Sequence, residues 1–163
     1  LSVVACKVYN DRIEIASDSI TVYGYTQSKG GAKLFQCNDM TIGGVGTAEE
    51  TALLRLFSAT TKPLSATENS ILDFLASFST WKKGRVEKTG IENHYILIFD
   101  GKAFSVEGWF VRPIETYAAI GAGMNYALSA LYLGHDVEKA VEVATELSIY
   151  CEKPIIKYVI EKK

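Results

Sequence analysis

Asp100-Gly101 stands at the junction of two strand-forming runs, HYILIFD and KAFSVEG. A two-residue link cannot carry a chain across a sheet, so these runs pair antiparallel, and Asp-Gly tolerates the positive φ values that such a turn demands. The same punctuation recurs nearer the N-terminus. SVVACKVY and RIEIASDS flank Asn10-Asp11, and KLFQCND is followed directly by MTIGGVG. Short polar links between β-branched runs are the signature of hairpins, so antiparallel sheets are expected.

Between the hairpins the periodicity changes. Thr47 precedes AEETALLRLFSATTK with Glu50 three residues on, the spacing of a Thr-x-x-Glu capping box, and Ala52, Leu53, Leu56 and Phe57 follow at helical spacing. Pro63 closes that unit. A second helix begins at Ser65 or Thr67 and carries Ile71, Leu72, Leu75 and Phe78 on one face. KKGRVEKTG, from Lys82 to Gly90, reads as a solvated loop, and TVYGYTQSKGGA as a connection. WFVRPIETYAAIGAG holds one or two short strands. NYALSALYLG, closed by Gly134, and DVEKAVEVATELSIYCEK, begun by Asp136 as N-cap, read as helices; IIKYVIEK is a closing strand. Hairpins, helix pair, hairpins, helix pair and strand make an α+β layered domain spanning 1–163. Pattern alone leaves two architectures open, a pair of packed sheets flanked by helices or one covered sheet.

Composition narrows the partners. Seventeen Lys and Arg against nineteen Asp and Glu give a net charge of −2, which offers no electrostatic footprint for nucleic acid or an anionic membrane. Cys6, Cys37 and Cys151 are widely separated, and only His94 and His135 could join them, so buried free thiols are expected rather than zinc or disulfides. No apolar run approaches the roughly 18 residues of a membrane span, and SVVAC is too short for a signal sequence. The cytoplasm is the expected location.

Neither a GxxxxGK[ST] loop nor HExxH is present. Gly43-Gly44-Val45-Gly46 sits at a strand-to-helix turn, where it is either a tight turn of small residues or a cradle of outward N–H groups for an anion. Ser2, Asp18 and Lys33 come from three consecutive early elements, at or near strand ends. A serine hydroxyl needs a base to become a nucleophile, and a free α-amine on the same residue, with a typical pKa of roughly 7.7–8.0, serves. A lysine held by an aspartate raises the positive potential beside it. From residue types alone, an ordinary Asp18–Lys33 surface ion pair explains two of the three equally well.

Several stretches taken together resemble the proteasome β-subunit family, most closely its HslV-like members, over nearly the whole chain. Ser2-Val3-Val4 stands where that family has Thr-Thr-x-hydrophobic. Ala16-Ser17-Asp18-Ser19 and Ala32-Lys33-Leu34 resemble its aspartate turn and its lysine strand start, with one residue fewer between them. Gly46-Thr47-Ala48-Glu49 is similar to Gly-Thr-Ala-Asp, the run Ala119 to Leu128 (AIGAGMNYAL) to Ala-Ile-Gly-Ser-Gly-Gly-Asn-Tyr-Ala-Leu, and Ile149-Tyr150 lies where Cys-Ile-Tyr-Thr is found.

The resemblance implies a four-layer αββα sandwich of the N-terminal nucleophile hydrolase type and a ring-forming peptidase. Ser2 would be the nucleophile in place of threonine, Lys33 the activating ammonium and Asp18 its holder. N–H groups around Val45 and Gly46 would form an oxyanion hole, with Gly43 and its neighbours bordering the substrate pocket. No cofactor is expected beyond a possible monovalent cation such as sodium at the carbonyls of Thr145, Ser148 and Cys151. Expected partners are copies of the same chain, peptide or unfolded-protein substrates and an ATP-dependent unfoldase. In rings, Trp81, Trp109, Tyr126 and Tyr132 are candidates for either core or contacts between subunits. Three residues depart from the family's pattern: Leu1 acylates the Ser2 nitrogen, Val45 replaces a glycine, and Ala122 replaces a serine that supports the terminal amine. These departures leave two alternatives, an inactive subunit with a structural role and an amidohydrolase acting on a small amide.

Overall fold

The structure, a computed structural model, describes residues 1–163 except 24, 30–32 and 89, with the side chains of all but Tyr23 and Lys29. Chain order runs β1 (Val4–Val8), β2 (Arg12–Ser17), β3 (Ile20–Tyr23), β4 (Thr26–Lys29), β5 (Leu34–Cys37), β6 (Met40–Val45), α1 (Ala48–Ser58) and α2 (Glu68–Lys83). It continues with β7 (His94–Phe99), β8 (Lys102–Glu107), β9 (Phe110–Pro113), β10 (Tyr117–Ile120), α3 (Met124–Tyr132), α4 (Val137–Leu147) and β11 (Ile156–Glu161). Among the described residues one main sheet has the order β10-β1-β2-β11, the other β5-β6-β7-β8-β9, and β3-β4 forms a separate two-stranded ribbon; the neighbours pair antiparallel throughout. Asp100 and Gly101 adopt φ of 48° and 75°, as the β7–β8 turn requires, and Asn38 and Asp39 do the same between β5 and β6.

Strand alternation resolves the choice that the pattern left open. On β1, Val4 and Cys6 face one core while Ala5, with Val3 just before the strand, faces another; on β7, Ile96 and Ile98 oppose Tyr95, Leu97 and Phe99. Val4, Cys6, Ile13, Ile15, Ile96 and Ile98 fill the space between the two sheets. Both faces of each sheet are therefore buried, which is the αββα sandwich. The two helix layers differ in chemistry. Beneath α1 and α2 the core is aromatic, with the Phe57 ring 5.4–5.6 Å from those of Phe74, Phe78 and Trp81. Beneath α3 and α4 it is small, built on Ala127, Ala130, Ala140 and Ala144, so those helices lie close on β1 and β2.

Several local expectations shift. α1 stops at Ser58, with the Ala59 N–H bonded back to Arg55 and Leu56, rather than running on towards Pro63. The β-branched Thr60-Thr61 pair and the restriction that Pro63 places on Lys62 both disfavour another turn. On α2, Phe74 joins the buried face and Leu72 only borders it. Lys82, expected in solvent, is 3% exposed and ion-paired to Glu50. The stretch read as a connection contains the β3–β4 hairpin, and Ala32 of the lysine motif falls outside the described residues. Trp81 packs against the aromatic core, whereas Trp109, Tyr126 and Tyr132 are exposed. Among the described residues no helix is long and apolar enough to cross a membrane.

Candidate active site

Asp18 follows directly on β2, and its N–H bonds Val3 O at 3.3 Å, so the aspartate turn is stitched to the residue after Ser2. The carboxylate is fully buried and accepts four donors. Oδ1 takes the Val3 N–H at 3.0 Å and Lys33 Nζ at 2.9 Å; Oδ2 takes the Glu152 N–H at 3.1 Å and the Ile20 N–H at 3.4 Å. One carboxylate oxygen thus joins the N-terminal strand to the lysine. The side chain of Lys33 is 11% exposed. Burial drives its pKa below the ordinary lysine value, and Asp18 opposes that by charge and hydrogen bond. Lys33 O accepts the Gly44 N–H at 2.9 Å, which fastens the start of β5 to β6.

Ser2 is 4% exposed and has φ of 125°, a region that L-residues with a Cβ rarely adopt. Its carbonyl accepts the Gly123 N–H at 3.0 Å. Gly121, at φ 99°, passes so close that a Cβ there would collide with Ser2 O, and a Cβ on Gly123 would meet Cys151 Sγ. The β10–α3 turn is a glycine clamp on Ser2. Ala122 between them is exposed.

Ser2 and Lys33 line a cavity of about 850 Å³ together with Gly44, Val45, Gly46 and Thr47. Val45 lies in β6 without a positive φ, so the side chain that replaces glycine there fits ordinary strand backbone. Gly46 has φ of 127°. Gly43, expected at the border, instead faces the core between the sheets, where a Cβ would sit 2.7 Å from Leu34 and 2.8 Å from Val4; its neighbour Gly44 lines the cavity. Ile20, Val22, Ala48, Ala52 and Leu56 give the cavity its apolar side. A groove of about 750 Å³ between Tyr9 and the start of α2 shares none of these residues.

The capping box is half formed. Thr47 Oγ1 accepts the Glu50 N–H at 3.4 Å, but the Thr47 N–H goes to Asn93 Oδ1 at 2.8 Å, because the Glu50 carboxylate is engaged elsewhere. At the end of α4, Thr145 Oγ1 donates to Glu142 O, Ser148 Oγ accepts the Tyr150 N–H, and Ser148 O accepts the Cys151 N–H at 3.4 Å. Burial, seconded by the Asp18 charge, raises the Cys151 pKa. The structure therefore brings Ser2, Lys33, Val45 and Gly46 to one cavity, with Asp18 buried behind Lys33. Sequence reasoning missed Gly121, Gly123, Glu152 and Asn93; of these only the Gly-x-Gly spacing after β10 carried a local signal.

Two antiparallel sheets between helix pairs, with a buried aspartate–lysine pair whose aspartate holds the residue leading into the first strand, make the αββα arrangement of the proteasome-like fold. Among solved structures, BPH of Thiobacillus denitrificans, alone and in complex with epoxomicin, has a TM-score of 0.88 at 19% identity, over 99% of this chain and 98–99% of that one. Eukaryotic HslV from Trypanosoma brucei has a TM-score of 0.74 at 20% identity over 98% of this chain and 99% of that one. Anbu, the ancestral beta-subunit from Yersinia bercovieri, has a TM-score of 0.74 at 13% identity over 98% and 81%. No protein-family model matches the chain, and no curated protein matches it. At these identities the likeness is one of fold.

Proposed function

We propose that the chain, once Leu1 is removed, is a peptidase that uses Ser2 as an N-terminal nucleophile. The observation that carries this reading is the Asp18 carboxylate, which holds Lys33 Nζ and the Val3 N–H on one oxygen beside a cavity that Ser2 also lines. In the reaction the freed α-amine of Ser2 takes the Oγ proton as Oγ attacks the peptide carbonyl. Negative charge builds on the carbonyl oxygen and is met by the N–H group of Gly46. The protonated amine then gives its proton to the leaving amine as the C–N bond breaks. Water, deprotonated by the same α-amine, hydrolyses the resulting ester and restores the hydroxyl. The Lys33 ammonium, oriented by Asp18, favours the developing alkoxide throughout. No step uses a metal; the Thr145, Ser148 and Cys151 carbonyls are where a sodium ion would bind to brace the loop that delivers the Glu152 N–H to Asp18.

Self-association into rings and delivery of unfolded substrate by an ATP-dependent unfoldase belong to the same proposal, supported by the shared fold. One observation favours the inactive alternative: the Ser2 nitrogen is an amide while Leu1 is attached, and an amide is no base. Epoxomicin decides between them. An epoxyketone presents a carbonyl to the hydroxyl and an epoxide to a free amine, so intact-mass analysis should show one adduct on a chain beginning at Ser2. An unlabelled chain still beginning at Leu1, with no turnover of fluorogenic peptides, would leave the structural role. Turnover of small amides but not peptides would support the amidohydrolase.

A further inference from the structure

We propose that Asn93 is a positioning residue whose side-chain amide clamps the Gly46–Thr47 turn, an inference that rests on the peptidase reading above. Asn93 is 2% exposed and precedes β7. Its Oδ1 accepts the Thr47 N–H at 2.8 Å, and its Nδ2 donates to Thr47 O at 2.8 Å and to Thr51 Oγ1 at 3.1 Å. The amide therefore grips both backbone groups of one residue as a neighbouring strand would, and a flipped amide would set donor against donor.

The clamp is itself held. The Asn93 N–H donates to Glu50 Oε2 at 2.8 Å, and the same carboxylate receives Tyr95 OH at 2.9 Å, the Glu92 N–H at 3.0 Å and Lys82 Nζ at 3.0 Å. Lys82 reaches on to Gly90 O. A fully satisfied buried network of this kind is stiff. Gly46 completes it: at φ 127°, a Cβ on that residue would collide with Asn93 Oδ1, so glycine here is what lets the amide close over the turn. Asn93 consumes the Thr47 N–H and the β6–β7 ladder pairs Val45 with His94, so the donor the turn leaves toward the cavity is the Gly46 N–H. Its peptide plane directly precedes the Gly46–Thr47 plane that Asn93 grips, so the clamp restrains its direction through the Gly46 torsions.

The test pairs Asn93→Ala with Thr67→Ala, which removes the other helix cap in the same layer, where Thr67 Oγ1 accepts the Ser70 N–H at 3.2 Å. Amide hydrogen exchange across 45–48 is measured in each folded variant, with kcat and KM on a fluorogenic peptide. Asn93→Ala should speed exchange at Thr47 at least about tenfold and cut kcat about 10- to 100-fold with KM within about twofold, part of what losing a transition-state donor costs. Thr67→Ala should leave both unchanged. Asn93→Asp keeps the acceptor for the Thr47 N–H, so Thr47 protection should persist with an intermediate kcat, and it serves if the alanine variant does not fold. Unchanged exchange at Thr47, or a kcat loss no larger than that of Thr67→Ala, overturns the clamp. A wild-type chain without turnover would overturn the peptidase reading alone, and the exchange arm would still decide the clamp.

Discussion

Asp18→Asn removes one charge from a fully buried position. In the native chain Lys33 Nζ and the Val3, Glu152 and Ile20 N–H groups all converge on the carboxylate at 2.9–3.4 Å. An asparagine keeps one acceptor oxygen and turns an amide donor toward the others, so at least one N–H is orphaned while the ammonium loses its counter-charge. Breaking one partner of a buried pair costs about 3–5 kcal/mol, with the orphaned amide inside that figure. That is a large share of the roughly 5–15 kcal/mol of a typical domain. The variant has one relief, which is to let Lys33 lose its proton. Burial already lowers the Lys33 pKa from 10.5 and Asp18 is the main influence opposing it, so in the variant the value falls further. Between the folded value and 10.5 the unfolded chain holds a proton that the folded chain does not, so stability rises with pH, by up to about 1.36 kcal/mol per pH unit. Urea unfolding from neutral pH to pH 10.5 should therefore show a deficit that is largest near neutrality and narrows as pH rises, with an unchanged m-value. Wild type has the same sign in a narrower window near 10.5. A deficit below about 1 kcal/mol, or one indifferent to pH, would refute the assignment of Asp18 as the holder of Lys33.

Gly121→Ala should destabilise by at least about 2 kcal/mol in thermal unfolding and slow labelling of Ser2, since the methyl group collides with the Ser2 carbonyl at a φ of 99°. For Glu50, burial raises the pKa, but the N–H groups of Glu92 and Asn93, with Lys82 and Tyr95, offset it and hold the carboxyl below its usual range. Its stabilisation is complete above about pH 4.5 and lost as pH falls through the lower folded value; Glu50→Gln, compared by acid unfolding, should lack that component and be weaker at neutral pH by about 3–5 kcal/mol. In the folded chain Cys37, half-buried, should react with a thiol reagent before Cys151 or Cys6, whose pKa burial pushes up to about 12.

The turns and caps were legible because their causes are local: Asp100-Gly101, Thr47, Thr67 and Asp136 each act on neighbours within three residues. The β3–β4 hairpin escaped notice because its runs are short and polar, and α1 was read too long because apolar spacing does not mark where β-branching ends a helix. The site divides the same way. Ser2, Asp18 and Lys33 stood out only through resemblance, since an aspartate and a lysine far apart in sequence are usually surface charges. Asn93 and Glu152 gave no signal at all, because their partners lie 46 and 134 residues away. Lys82 misled for the opposite reason: its neighbours are polar, yet the helix turns it inward onto Glu50.

The φ of 125° at Ser2 has a further consequence. That torsion is measured from the carbonyl carbon of Leu1, so it exists only while the Leu1–Ser2 bond does. A residue in such a region stores about 1–3 kcal/mol, and the Ser2–Val3 peptide that follows it is gripped at both edges, its C=O by the Gly123 N–H and its N–H by Asp18. Hydrolysis of that single bond abolishes the constraint and leaves the surrounding contacts intact. On the proposed reading, removal of Leu1 would run downhill like the release of a cocked spring, and the trimmed form could not easily be re-joined.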